Sequence, residues 1–419
     1  MKKIKEVLNH PMASSSALLI FGSLGINVIN LIYHFVMGNI LGPVNYGTLL
    51  SLYSILYILS IVPLSSSVAI VKFISKSKSK KERMVVYNAI KKLILYIAIF
   101  GSAFVVILSP IISNFLNIKD VVSTLLTAGV LFFSLITLVN QASLQGILKF
   151  MGVVLPNFVS SAIKLILGVV LVWVGFSVEG AMFAVVIGVA VAYILSQSMA
   201  KKHFSGNSKK EFDLKPFFNY SKPVLLQAFA FTSLFTTDVI LVKHFFSPFD
   251  AGLYAALSTL GKIVYFGASP VASVMFPYVS GKHSRGEKYI KVLWGALLLT
   301  ASISFGVVVI YALFPNLVVK ILYAKYIKAV PYLVWMGAFI AFYTIANLLT
   351  NFFLSIDKLK IVLVPLFFAI LQIILIWFYH NSILQVIQVS LIEMIFLCLI
   401  LFTYLVYNRL SLTNEAKAK

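Results

Sequence analysis

The chain has 419 residues, 61% of them apolar and 11% charged, with a formal net charge of +22 and a mean hydropathy of +1.01. Water-soluble domains carry about 25% charged residues. This composition therefore excludes a soluble enzyme, a disordered chain and, with Cys398 as the single cysteine, a disulfide scaffold.

Apolar runs of about 20 residues, each able to cross ~30 Å of hydrocarbon, make the chain an all-α polytopic membrane protein. They predict twelve transmembrane helices, near 14–38, 46–71, 93–115, 122–147, 154–176 and 180–200, then 223–246, 251–279, 292–314, 331–355, 361–379 and 384–407. Helices are required because lipid offers the backbone no hydrogen-bond partner. The first run is too long for a signal-peptide core and lacks a small-x-small cleavage site, so it is expected to stay as a span.

Span one carries Asn27, Asn30 and His34 at helical spacing, and span two carries Tyr53, Tyr57 and Ser60. Eight cations crowd into 72–92. Span four follows with Ser134, Thr137, Gln141 and Gln145, and span five with Asn157, Ser161 and Lys164. Lys164 near mid-span suggests either a hydrated cavity that receives negative charge or a distant acidic partner, for ionisable groups in hydrocarbon cost several kcal/mol unless paired or hydrated. The amide stripes fit a shared polar cleft, although such groups also glue helices together.

The long polar segment 201–222 divides the chain into an N-terminal six-helix lobe (1–200) and a C-terminal one (223–407), followed by a cytoplasmic tail (408–419). Span seven carries Asp238 and Lys243, span eight Lys262. Asp238 and Lys262 are expected to face each other across a hairpin turning near 248–249, as a bracing ion pair, a transport site or both. Lys243 is expected to snorkel to the outer interface. Gly267 and Pro270 predict a bend in span eight. The loop 315–330, with Lys320, Lys325 and Lys328 among Leu, Ile and Tyr, reads as an amphipathic interfacial segment. Span ten adds Tyr343, Asn347 and Asn351, and span twelve holds Glu393.

Charge fixes the expected orientation. With the N-terminus cytoplasmic, four of the 34 Lys and Arg lie outside (Lys119, Lys320, Lys325, Lys328), three lie within spans (Lys164, Lys243, Lys262) and the other 27 lie inside. Lys and Arg accumulate in cytoplasmic loops, so both termini are expected in the cytoplasm of a cell whose cytoplasmic membrane holds the protein. The net charge then reflects topology rather than nucleic acid. Pro43 and Gly47 recur as Pro248 and Gly252, 205 positions on. Six helices per half make the repeat parallel, about an axis along the membrane normal. No Walker motif, metal-ligand spacing or catalytic serine context occurs, so neither nucleotide, cofactor nor catalysis is expected.

Three stretches carry a family resemblance. ILGPVNYGTLLSLYSIL (40–56) resembles the L-G-x-x-x-Y-G-x-L pattern of Wzx-type polysaccharide and oligosaccharide flippases. DVILVKHFFSPFDAGLYAALSTLGKIVYF (238–266) is similar to their seventh-to-eighth-helix hairpin, and LYAKYIKAVPYL with NFFLSIDKLK to the segments flanking their tenth helix. Ala324 stands where many relatives have glycine. The resemblance spans the chain and belongs to the multidrug/oligosaccharidyl-lipid/polysaccharide exporter superfamily. It implies two six-helix lobes around a central cavity, alternating access, and movement of a polyprenyl-diphosphate-linked oligosaccharide between leaflets. A coupling ion, H+ or Na+, would engage Asp238 or Glu393. A multidrug-type exporter is the alternative, and a polysaccharide polymerase or glycosyltransferase a further one. Three intramembrane lysines against two carboxylates favour anionic cargo over the organic cations that acidic, aromatic sites take.

Overall fold

Segments this apolar must close their backbone hydrogen bonds internally, and the computed structural model is helical accordingly. It describes residues 11–77, 79–206 and 212–417. The cations expected at the extreme N-terminus, residues 207–211 of the polar segment and the last two tail residues lie outside the described residues. In chain order the helices are α1 (Pro11–Leu59), α2 (Ile61–Lys76), α3 (Lys80–Phe115), α4 (Val121–Gly146), α5 (Met151–Leu171), α6 (Ser177–Phe204), α7 (Lys215–Phe245), α8 (Pro248–Ser284), α9 (Ile290–Leu313), α10 (Pro315–Leu322), α11 (Leu333–Ser355), α12 (Leu363–Phe378) and α13 (Ile383–Lys417). A π turn (Val172–Phe176) joins α5 to α6, and 3-10 turns (Ala324–Tyr332, Leu359–Val362) precede α11 and α12.

Among the described residues, ten helical stretches are long and apolar enough to cross a membrane. Two of them hold two crossings each: Phe21–Leu59 has 39 residues and Met151–Phe204 has 54, roughly 58 and 81 Å at ~1.5 Å per residue. Each breaks at a glycine. Gly42 has φ 71°, ψ 175° and Gly175 has φ 112°, ψ 0°, conformations that glycine tolerates and side chains rarely do. At Gly42 the chain folds back on itself. Tyr33 and Tyr53 bring their ring centroids to 6.2 Å, where twenty residues of straight helix would separate them by ~30 Å. Halving both stretches gives the expected twelve spans.

Local capping explains several starts. Asp120 accepts from the Val122 and Ser123 N–H groups at 2.8 and 2.9 Å and opens α4. Ser79 accepts from Glu82 N–H and opens α3. Ser247 accepts from Asp250 N–H before Pro248, the first residue of α8. Proline is favoured there because the first helical N–H has no intrahelical partner anyway. α8 runs through Pro270 and Pro277.

The chain forms two compact units, Met1–Ala228 and Phe229–Lys419. The division falls inside α7, which begins eight residues before the expected span: the Lys215 N–H is capped by Asp213 at 2.9 Å. Phe217 is buried in the first unit's core with Ile70, Ile74, Tyr87, Ile90, Leu135 and Phe204. The basic segment is thus helical at both ends, Lys201 and Lys202 closing α6 and Lys215 and Lys222 lying in α7. The expected interfacial segment forms α10 and a 3-10 turn, with its three lysines exposed and Tyr323 and Tyr326 buried.

The units share a packing scheme. In the first, α4 packs against α2, α3 and α6, and α5 against α6; in the second, α11 packs against α8, α9 and α13, and α12 against α13. Asn140 reaches Ser196, and Gly129 abuts Val186, so α4 and α6 run parallel. The Cys398 thiol donates to the Phe342 carbonyl and Phe353 packs on Tyr404, so α11 and α13 run parallel too.

Candidate functional site

In the first unit, the reversal at Gly42 lays the two limbs of α1 side by side and sets them against α5. Lys164, midway along α5, donates a short hydrogen bond to Asn30 Oδ1. Its ammonium sits 4.4 Å from the centre of the Tyr33 ring and 5.6 Å from that of Tyr53. His34 Nδ1 lies 3.4 Å from the Tyr46 hydroxyl, with its ring 5.1 Å from that of Tyr53. Ring faces attract a cation without neutralising it, and among the described residues no carboxylate lies within ion-pair distance of Lys164. The hydroxyls of Tyr33 and Tyr53 are both buried and lie beside one another. Tyr53 also borders a cavity of about 230 Å³ lined by Tyr57, Ser60 and Ser134 and by the aliphatic Leu56, Val130, Leu131 and Val185. The first unit therefore offers a lysine with no acidic partner among the described residues, two buried tyrosine hydroxyls beside it and an adjacent space whose walls are largely apolar.

In the second unit, Asp238 is 1% and Lys262 5% exposed. The expected direct pair is replaced by another arrangement. Asp238 Oδ2 accepts from the Tyr254 hydroxyl at 2.6 Å, while the Lys262 ammonium lies 4.6 Å from the centre of the Phe235 ring. The turn is tighter than expected. With α7 ending at Phe245 and α8 starting at Pro248, Asp238 and Tyr254 lie within about one residue of equal depth, whereas Lys262 is roughly 10 Å deeper along the helix. Phe235 in turn stacks on Tyr343, whose hydroxyl donates to the Phe231 carbonyl at 3.1 Å. Lys243 does not follow the expected snorkel: it is 3% exposed, its stem covered by protein.

The remaining candidates fall into separate groups. Gln141 donates to Asn157 at 2.8 Å across α4 and α5, and Gln145 is half-buried one turn further on. Asn27 is exposed. Asn347 and Asn351 bond to each other along α11. Glu393 is 2% exposed, and neither carboxylate oxygen has a hydrogen-bond partner among the described residues. Among those residues there is no cluster of His, Cys, Asp and Glu suited to a metal ion.

Sequence reading picked out Tyr53 and Tyr343 but missed Tyr33 and Tyr254. Tyr33 sits between Asn30 and His34 on α1 but reads as an apolar packing residue. Tyr254 lies in the hairpin stretch 238–266, and only the depth count from the turn marks it as the partner of Asp238.

A family model described as "Polysaccharide biosynthesis protein" matches residues 36–331, which include both hairpin turns and both buried clusters except for Asn30, Tyr33 and His34 of the first and Tyr343 of the second. The chain belongs to that family. No curated protein matches it. Among solved structures, the fold of this family member is similar to that of the lipid II flippase MurJ in an inward closed conformation, with a TM-score of 0.75 at 14% identity over 93% of this chain and 87% of that one. It is also similar to an inward-facing multidrug resistance MATE family transporter of the MOP superfamily, at 0.72 and 15% identity over 94% and 96% of the two chains. An outward-facing MATE transporter gives 0.67 at 14% identity over 99% of each chain. The chain is a multi-pass membrane protein with the two-lobe fold of these transporters.

Proposed function

We propose that the protein carries a polyprenyl-diphosphate-linked oligosaccharide from the inner to the outer leaflet of the cytoplasmic membrane for surface polysaccharide synthesis, by alternating access. Both termini are cytoplasmic in this reading. A diphosphate-sugar headgroup cannot cross hydrocarbon unaided, because stripping charges and hydroxyls of water without replacement is prohibitive. A site that carries it must supply positive charge and hydrogen bonds, while the lipid tail stays in the bilayer.

The observation that carries the reading is Lys164: a mid-membrane cation with two ring faces and an amide around it, and no acidic partner among the described residues. Membership of a polysaccharide biosynthesis family supports it. Nearby, the tyrosine and serine hydroxyls of the cavity wall match sugar hydroxyls, and the amides Gln141 and Asn157 extend the polar surface.

The test is a flipping assay in vesicles loaded with a defined lipid-linked oligosaccharide. Lys164→Met should lower the initial rate on the order of 10-fold or more, equivalent to about 1.4 kcal/mol or above, in protein that elutes and melts as wild type. Lys164→Arg should keep a substantial part of the rate. An unaffected Lys164→Met variant overturns the assignment, and efflux of organic cations without movement of lipid-linked sugar shifts the protein to the multidrug exporters.

A further inference from the structure

Three segments of the first unit meet at its basic end, and the proposed cargo site uses none of them. α4 and α6 run parallel, with Asn140 beside Ser196 at an offset of 56 positions. Continuing that register sets His203, in the last turn of α6, about level with Ile147, where the turn from α4 to α5 begins. The turn is held by Leu148 at φ 61° and by the Lys149 N–H, which donates to the Leu144 carbonyl at 2.9 Å. The first turns of α3 pack against the same end. Tyr87 stacks on Phe204 with ring centroids 4.7 Å apart, and the Asn88 amide donates to the Gly206 carbonyl at 3.2 Å.

His203 is half-buried where these segments meet, while Lys80, Lys149 and Lys202 are exposed. Partial burial, and then the charges of Lys149, Lys80 and Lys202, hold its imidazole below the usual value. Each lysine comes from a different segment: the start of α3, the α4–α5 turn and the end of α6. Among the described residues the charges acting on the ring are all positive. The carboxylates described on this side of the unit are Glu82, in the first turn of α3, and Asp213, which caps the Lys215 N–H. Neither forms an ion pair with the three lysines. Of the other cations at these ends, Arg83 donates to the Ser77 carbonyl at 3.3 Å and Lys91 to the Gln197 amide oxygen at 3.2 Å. Lys81 and Lys201 are exposed.

A bias of cations towards the cytoplasm accounts for their number. It does not account for three lysines from three segments closing on one histidine. Like charges held together repel, and a cluster of one sign concentrates counter-ions of the other. A lone carboxylate would offset one charge of this group, whereas a phosphate accepts several charge-assisted hydrogen bonds at once. A nucleic acid strand would need open ring faces for stacking, and here Tyr87 and Phe204 are buried against each other. We propose that His203, Lys80, Lys149 and Lys202 form a binding site for a phosphate group, supplied by a lipid headgroup or by a soluble phosphate compound. The site rests on the proposed orientation only for being called cytoplasmic, and it needs no cargo.

The test uses the purified full chain in phosphatidylcholine nanodiscs, titrated calorimetrically with inorganic pyrophosphate. Wild type should bind saturably, and more weakly as salt rises. The variant Lys80→Gln/Lys149→Gln/Lys202→Gln should bind about 10-fold more weakly or worse, a few-fold for each exposed cation. If it does not fold, Lys80→Gln/Lys149→Gln takes its place, with a loss of about 5-fold expected. Lys320→Gln/Lys325→Gln/Lys328→Gln removes the same charge from the second unit and should bind as wild type. Equal losses in the two triple variants, or no saturable binding by wild type, overturn the site. Imidazole NMR, with His203→Gln assigning the signal, should show pyrophosphate moving the His203 titration to higher pH. A titration that stays in place overturns the role of His203. Native mass spectrometry from mixed phosphatidylcholine and phosphatidylglycerol discs then separates the sources. Phosphatidylglycerol retained by wild type and lost from the first triple variant supports the lipid headgroup. Equal retention, with pyrophosphate binding intact, supports a soluble phosphate. If wild type moves no lipid-linked sugar yet binds pyrophosphate as expected, the cargo reading fails and the phosphate site stands.

Discussion

Asp238 and Tyr254 meet because the turn between α7 and α8 occupies only residues 246 and 247, which places them at matching depths. Among the described residues Asp238 Oδ1 has no side-chain donor, so Tyr254→Phe would remove the one side-chain hydrogen bond seen to this buried carboxylate. It should destabilise the protein by about 1–3 kcal/mol, the usual loss when a buried partner is stranded. In double-mutant cycles read by thermal or denaturant unfolding, Asp238→Asn with Tyr254→Phe should show a coupling of about 0.5–3 kcal/mol. The cycle of Asp238→Asn with Lys262→Met should show less, because Lys262 acts on the carboxylate through space while its ammonium rests on Phe235. A larger coupling for Lys262 than for Tyr254 would restore the direct ion pair. A parallel exists in the first unit, where His34 faces Tyr46 across the Gly42 turn. Each half thus places a titratable side chain near the end of its first helix, against a tyrosine early in its second.

At the level of the helices, Gly42 isolates a backbone effect cleanly. A Cβ added there would meet no atom within 4 Å, yet φ 71° with ψ 175° lies in a region open essentially to glycine alone. Gly42→Ala should therefore cost about 1–3 kcal/mol from backbone strain, and an unchanged unfolding midpoint would refute that. The apolar runs made all twelve spans legible, and the split between spans one and two was visible in GPVNYG because Gly-Pro ends one helix and starts another. The helical character of 215–222 was not legible: its polar composition reads as linker, and only Phe217, inserted among Ile70, Tyr87 and Phe204, draws it onto the first unit. In the same way Lys164, Asp238 and Glu393 stood out as charges in hydrocarbon, while their surroundings did not. Asn30 lies 134 positions from Lys164, and what surrounds Glu393 depends on how its neighbouring helices, α11 and α12 among them, pack. Spacing along one helix carries no record of such contacts.

For the molecule as a whole, the expected orientation rests on two independent arguments. Ser205 closes α6 and Asn381 lies between α12 and α13, with five spans (α7, α8, α9, α11, α12) between them. An odd number of crossings places the two positions on opposite sides of the membrane, whichever way the protein is inserted. Which side is which is expected from the cations: Ser205 sits beside Lys201 and Lys202 in the segment 201–222, which carries six Lys, whereas 378–383 carries no Lys or Arg. Each cytoplasmic cation near a span end biases insertion, and the 27-to-4 distribution over the loops leaves one orientation strongly favoured. A reporter fused at Ser205 should therefore be active only in the cytoplasm, and one at Asn381 only outside. Two reporters on the same side would contradict the five-helix count, and so the fold. An exchange of the two sides would leave the fold intact and overturn the charge argument. Because the proposed transport runs from the inner to the outer leaflet, that exchange would also reverse the face from which Lys164 receives its cargo.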